Sequence, residues 1–142
     1  AKAGLEIGGR AFQNAFRGML AQTPQVDLEA YQQAFQDRAT ILREWLLFLE
    51  RYPLVLLPVS MERPFKLGLD QEGDVAMARI MKAQEPLLPF AVLGLPCVSV
   101  PTDIKDGVQL VAGRFREDLC LAAAECVEAH APVAIPLVKT AK

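Results

Sequence analysis

Two serines, Ser60 and Ser99, a single histidine, His130, and three cysteines are a thin supply of nucleophiles and metal ligands for a chain of 142 residues. Covalent catalysis needs a hydroxyl or thiol held beside a base. Neither serine lies in a Gly-x-Ser-x-Gly elbow or a Gly- and Ser-rich loop, and each adjoins an apolar run, so a structural role is expected for both. No metal site and no cofactor are expected, and the imidazole of the single histidine, His130, is read as closing a helix. Cys97, Cys120 and Cys126 make no C-x-x-C pair, and their apolar surroundings suggest small buried hydrophobes in a reducing, cytoplasmic setting. Cys120, near Arg114 and Arg116, has the best claim to activation, yet an inert thiol is the plainer expectation.

Other shortages exclude partners. A net charge of -2, with both signs interspersed, provides no basic footprint for nucleic acid or an anionic membrane surface. No apolar run approaches the ~20 residues that cross a bilayer, and no basic-then-apolar leader opens the sequence as given. Internal repeats and low-complexity linkers are missing too. What remains is 52% hydrophobic and 23% charged, the balance of one folded domain over residues 1–142.

Helical spacing of Leu5, Phe12, Phe16, Met19 and Leu20 predicts a helix over 4–22, weakened by Gly8-Gly9 and ended by Thr23-Pro24. Asp27 caps a long helix from Leu28 to about Tyr52, with Leu28, Tyr31, Phe35, Leu42, Trp45, Leu49 and Tyr52 on a buried face. Arg38, Arg43, Glu44, Glu50 and Arg51 read as its solvated side. After Pro53, the continuous apolar run 54–59 predicts a strand covered on both faces, inside a sheet. Asp70 or Asp74 is available to cap a helix running to about Gln84, with Val75, Met77, Ile80 and Met81 as its apolar face. Pro86 and Pro89 break the chain beyond it. Residues 97–101 and 108–112, joined by Lys105-Asp106-Gly107, read as an antiparallel hairpin. A last helix opens at Glu117 and Asp118 and ends near His130, turning Leu119, Ala122, Ala123, Cys126 and Val127 to the sheet. Residues 131–142 are expected to be an irregular tail. The fold class is therefore mixed α/β (α+β), a mixed sheet with a C-terminal hairpin covered by helices.

Four ordered landmarks carry a resemblance. They are the long helix over 31–51, Tyr-Pro-Leu-Val-Leu-Leu-Pro-Val at 52–59, Leu-Gly-Leu-Pro-Cys-Val-Ser-Val-Pro at 93–101, and the stretch 107–116. Together, and extending to about Glu128, they resemble the C-terminal region of the amidase-signature hydrolases. The resemblance implies a larger amidase-type sheet and an enzyme that cleaves amide carbon–nitrogen bonds through a Ser-Ser-Lys set and a Gly-rich oxyanion loop. No position here matches that catalytic motif; Lys66 and Lys82 lie outside its context and read as solvated charges. The chain is then expected to supply sheet and pocket wall, to be inactive alone, and to depend on a missing N-terminal catalytic portion. A small-molecule amide would be the substrate of the complete enzyme.

In that family the turn before the Gly-Leu-Pro strand approaches the acyl pocket, which implies Gln84, Leu88 and Phe90 as substrate-binding residues. Gln84 stands where glutamine-handling members have an acid and Ala91 where an Asn is common, so transamidation is disfavoured; the loop 103–106 is shorter than the family's. A homodimer is expected, because a piece of a larger sheet exposes strand edges and apolar helix faces. The competing expectations are an amidotransferase-like docking module without catalysis of its own, and an unrelated α/β domain. The last gains if the hairpin does not adjoin strand 54–59.

Overall fold

The hairpin does adjoin that strand. In the computed structural model, which describes residues 8–102 and 106–131, β1 (Leu54–Pro58), β2 (Cys97–Pro101) and β3 (Gly107–Ala112) form one antiparallel sheet of order β1-β3-β2. Leu54 lies opposite Ala112 and Pro58 opposite Val108, while Cys97 faces Val111 and Pro101 faces Gly107. β3 is thus the central strand, and four of its six residues are buried. β1 lies at an edge instead of inside the three-stranded sheet, and Leu56 is 57% exposed, so the expected covering of both its faces is not seen. The strand also stops at Pro58, one residue short of the apolar run.

Alternation along β3 separates two cores. Leu110, with Val100 and Ala124, packs on one face among Leu54, Val98, Val108, Ala123 and Val127. Val111 belongs to the other face, with Leu42, Leu49, Phe90, Leu93 and Leu95, and Trp45, Val55 and Leu57 beside them.

The helices keep the expected order with instructive differences. α1 (Arg10–Ala21) begins after Gly9, its N-cap, so the glycine pair bounds the helix instead of lying within it; residues 4–7 lie outside the described residues. Gly18 is its buried contact: a Cβ there would stand 3.2 Å from Met77 Cβ, so the missing side chain sets how closely α1 approaches the next helix but one. α2 (Leu28–Arg51) is capped as predicted, with Asp27 accepting from the Ala30 N–H at 2.8 Å. Its stripe is only half buried. Leu42 and Leu49 are in the core, but Leu28, Tyr31, Phe35 and Tyr52 are exposed, with Tyr31 and Phe35 edge to face at 5.0 Å. Helical periodicity marks a face that wants covering; it does not say that this chain covers it.

A short 3-10 turn (Leu69–Gln71) precedes α3 (Asp74–Ala83), whose N-cap is Gly73 and neither of the two aspartates considered; Met77 is buried while Val75 is exposed. α4 (Leu88–Leu93) has no counterpart in the sequence reading. Pro89 sits in its first turn, where its lost N–H costs nothing, and Gly94 closes it in the left-handed conformation, φ 70°. Arg38, expected on a solvated face, reaches across to α4 and donates to the Val92 and Leu93 carbonyls at 2.6 and 3.4 Å. α5 (Glu117–His130) covers the sheet through Cys120, Ala123, Ala124 and Val127, a stripe beside the expected one; Ala122 and Cys126 are exposed. Before it, Phe115 adopts φ 61°, the one non-glycine residue with positive φ among those described, and is 86% exposed. The residues after Ala131, and with them nearly all of the expected irregular tail, lie outside the described residues.

Candidate functional site

The end of β1, the start of β3 and the end of β2 meet at one end of the sheet, and the chain leaving β1 folds over them. Met61 N–H donates to the Ala83 carbonyl at 2.7 Å, tying the 59–65 loop to the C-terminus of α3. Val59 N–H meets the Gly107 carbonyl at 3.5 Å. The space enclosed is a cleft of about 530 Å³, with Pro58, Val59, Pro64, Phe65, Leu87 and Pro101 as apolar wall and Ser60, Glu62, Arg63, Gln84, Asp106 and Gly107 completing it. Such a mixture, mostly apolar with few polar groups, is the chemistry of a small organic ligand site.

Two ion pairs belong to its rim. Arg79 grips Glu62 with both ends of its guanidinium, Nε lying 2.9 and 3.1 Å from the two carboxylate oxygens. The hydrogen bonds from Arg79, and then its charge, hold the Glu62 carboxyl below its ordinary value. Arg63 approaches Asp106 at 3.5 Å, on exposed side chains. Both pairs are solvated, so they orient the loop without adding much stability.

Of the three residues implied as pocket wall, Gln84 lines this cleft. Leu88 lines a different hollow of about 450 Å³ between α2 and α4, with Ala34, Ile41 and Val92. Phe90 is 3% exposed and packs edge to face on Trp45 at 5.0 Å, inside the core. The structure therefore does not bring the three together. Leu87, Pro58 and Phe65, which the sequence did not mark as pocket residues, share the cleft with Gln84; Pro58 inside the apolar run 54–59 is the one signal, and Phe65 and Leu87 carry none.

Gln109 is the other residue that sequence reasoning passed over. It is the buried polar side chain of the sheet, 0% exposed at the centre of β3, and its Nε2 donates to the Pro86 carbonyl at 2.6 Å. A carbonyl can only accept, so this contact fixes which end of the amide faces Pro86. Oε1 has no partner among the described residues.

The nucleophile inventory is local in character. Ser60 Oγ accepts from the Glu62 N–H at 3.2 Å, and Ser99 lies exposed on β2. Cys120 is fully buried, with its thiol directed at the Pro96 and Leu110 carbonyls, and burial pushes its ionisation up. Arg116, its expected activator, is engaged by Asp118 at 2.9 Å. Cys97 and Cys126 are exposed, against the expectation of burial, because β2 is an edge strand and Cys126 falls outside the α5 stripe. Burial still raises the Cys97 ionisation, with the nearby Cys120 adding to it. The His130 imidazole stands 2.7 Å from the Cys126 carbonyl, one turn back along α5. Asp70 is held by Gln71, which also donates to the Ala11 carbonyl, so this acid helps to anchor α1. Lys66 and Lys82 are not buried in any core. Among the described residues no cluster of three His, Cys, Asp or Glu could hold a metal ion, and no helix is long and apolar enough to cross a membrane.

Comparison with known proteins decides the family. The model of the family described as Amidase matches residues 10–121. The chain belongs to the amidase family. This amidase segment is 36% identical over 138 residues to an indoleacetamide hydrolase of Bradyrhizobium japonicum, and 35% identical over 137 residues to another from Bradyrhizobium diazoefficiens. It is also 30% identical over 103 residues to a glutamyl-tRNA(Gln) amidotransferase chain of Streptococcus gordonii. The first two alignments cover 91% of this chain but 29% and 26% of those relatives; the third covers 70% and 20%. The amidase segment therefore spans under a third of the length of the curated relatives it matches. The matched stretch runs from the start of α1 into α5 and so takes in all three strands and the whole cleft.

Proposed function

We propose that this chain is the C-terminal region of an amidase acting on a small-molecule amide, and that it contributes sheet and one wall of the substrate pocket. The observation that carries this reading is the apolar cleft at the end of the sheet, within the segment that matches the family. The nucleophile, its lysine and the oxyanion donors are supplied by polypeptide preceding this segment. Gln84 faces the acyl part of the substrate, with Leu87 and Phe65 beside it. Leu88 and Phe90 act at one remove, by setting the position of the turn and of α4. An aromatic or otherwise flat apolar substituent suits walls of proline, leucine and phenylalanine, and the name borne by the Bradyrhizobium relatives makes indoleacetamide the first compound to try. Three free cysteines support a reducing, cytoplasmic setting. The half-covered α2 and the open edge of β1 support association, either with the catalytic portion or as a homodimer of the isolated chain.

The test is reconstitution. Joined to the sequence that precedes it in its gene, the segment is expected to yield hydrolysis of indoleacetamide, and Gln84→Ala or Leu87→Ala to raise KM severalfold. Turnover by the 142-residue chain alone would overturn the division of labour.

A second reading has its own support. The likeness to the Streptococcus amidotransferase chain and the exposed Tyr31–Phe35 pair favour a module that docks another protein chain, with no catalysis of its own. A gene that encodes no Gly- and Ser-rich segment upstream would favour it.

A further inference from the structure

We infer that Gln109 is a positioning residue for the cleft, holding the Gln84–Leu88 turn against the sheet; the inference rests on the reading of that cleft as the amide pocket. The turn is built from backbone contacts of its own, Leu87 and Leu88 N–H donating to the Gln84 carbonyl at 2.9 and 3.3 Å. Those bonds shape the turn but do not attach it to the sheet. Gln84 and Leu87 line the cleft, and Pro86 between them, with no N–H of its own, offers a carbonyl. That carbonyl is where Gln109 Nε2 donates, at 2.6 Å.

The other end of this bond is fixed. Gln109 sits on the central strand, in register with Leu57 of β1 on one side and Ser99 of β2 on the other, so its Cα is held by pairing from both neighbours. Its side chain is wholly buried, where a hydrogen bond is stronger and losing its donor leaves the Pro86 carbonyl unsatisfied. A glutamine at this place is costly for a core and would be replaced without loss by Leu or Met if filling space were its only task. Cβ to Nε2 is the reach needed; an asparagine, one methylene shorter, would not span it.

The experiment uses the whole gene product and two variants, Gln109→Met, which keeps the volume, and Gln109→Asn, which keeps the amide but not the reach. Hydrogen exchange at Leu87 and Leu88 is expected to accelerate about tenfold in both, while β3 and α5 amides change by less than about twofold, the local loss of one part-buried hydrogen bond. With indoleacetamide as the probe, KM is expected to rise severalfold and kcat to stay, since the wall and not the reacting groups has loosened. Unchanged exchange at Leu87 and Leu88, or acceleration shared equally by every strand and helix, overturns the tether. Local acceleration with unchanged KM, in a protein whose KM does respond to Leu87→Ala, overturns the positioning role and leaves the cleft reading intact. A protein that never turns over indoleacetamide counts against that substrate alone, and the exchange measurement decides the tether regardless.

Discussion

The thiols show how burial and ionisation act together at the level of one residue. Cys120 is enclosed between α5 and the sheet, and its thiolate is disfavoured there, so the unfolded chain ionises first as pH rises. Stability from this group, and from Cys97 whose shift has the same sign, is complete below the ordinary thiol pKa and declines as pH climbs from that value toward the raised one. Denaturant melts of the protein between neutral and alkaline pH should show the decline, with a shallower slope in Cys120→Ala. Arg38 is a second residue whose role is concrete: Arg38→Ala should cost about 1–2 kcal/mol in thermal or denaturant unfolding, through two lost bonds to the carbonyl end of α4. Under the proposed amide-hydrolysing role, Ser99→Ala and His130→Ala should leave kcat/KM within about twofold, because neither touches the cleft and exposed substitutions are worth about 0.5 kcal/mol or less.

At the level of the element, most boundaries are legible in the sequence. The Asp27 cap, the stop at Pro53, both hairpin strands and the α5 opening at Glu117 arise from local chemistry that acts within a few residues, and the structure has each of them where expected. The relations between elements are not legible in the same way. Phe90 is implied as pocket wall by the approach of its turn, and only the packing of α2 reveals that Trp45 occupies the space in front of it. The α4 helix is hidden by two prolines, because a proline near a helix start and one within a loop look alike in sequence. Gln109 looks like any polar residue in an alternating strand; its burial arises from Pro86 folding back, a contact across 23 positions. Phe90→Ala should lower stability by about 3–5 kcal/mol in equilibrium unfolding, as a large core truncation does. Gly94→Ala should cost about 1 kcal/mol, since φ 70° strains any residue with a β-carbon.

For the molecule as a whole, the half-used stripe of α2 and the edge position of β1 are the same fact at two places. Apolar surface is patterned for burial, and the described residues bury only part of it. Expressed alone, the 142-residue chain should therefore self-associate, visible in light scattering as a mass above the monomer's 15.6 kDa, and a well-behaved monomer at high concentration would contradict this. The family itself can be read from four landmarks because they sit on the strands and the long helix that shape the sheet; the cleft cannot, because it is assembled from the loop after β1, the turn after α3 and three strand ends that are remote in sequence.

That arrangement has a consequence for how the polypeptide matures. β3 is the strand to which both others bond, yet it is the last of the three to leave the ribosome. Until Gly107 to Ala112 emerge, β1 and β2 have no ladder partner among the described residues, and the nascent chain carries two unpaired strand edges open to capture. A message cut short at Asp106 would release them permanently.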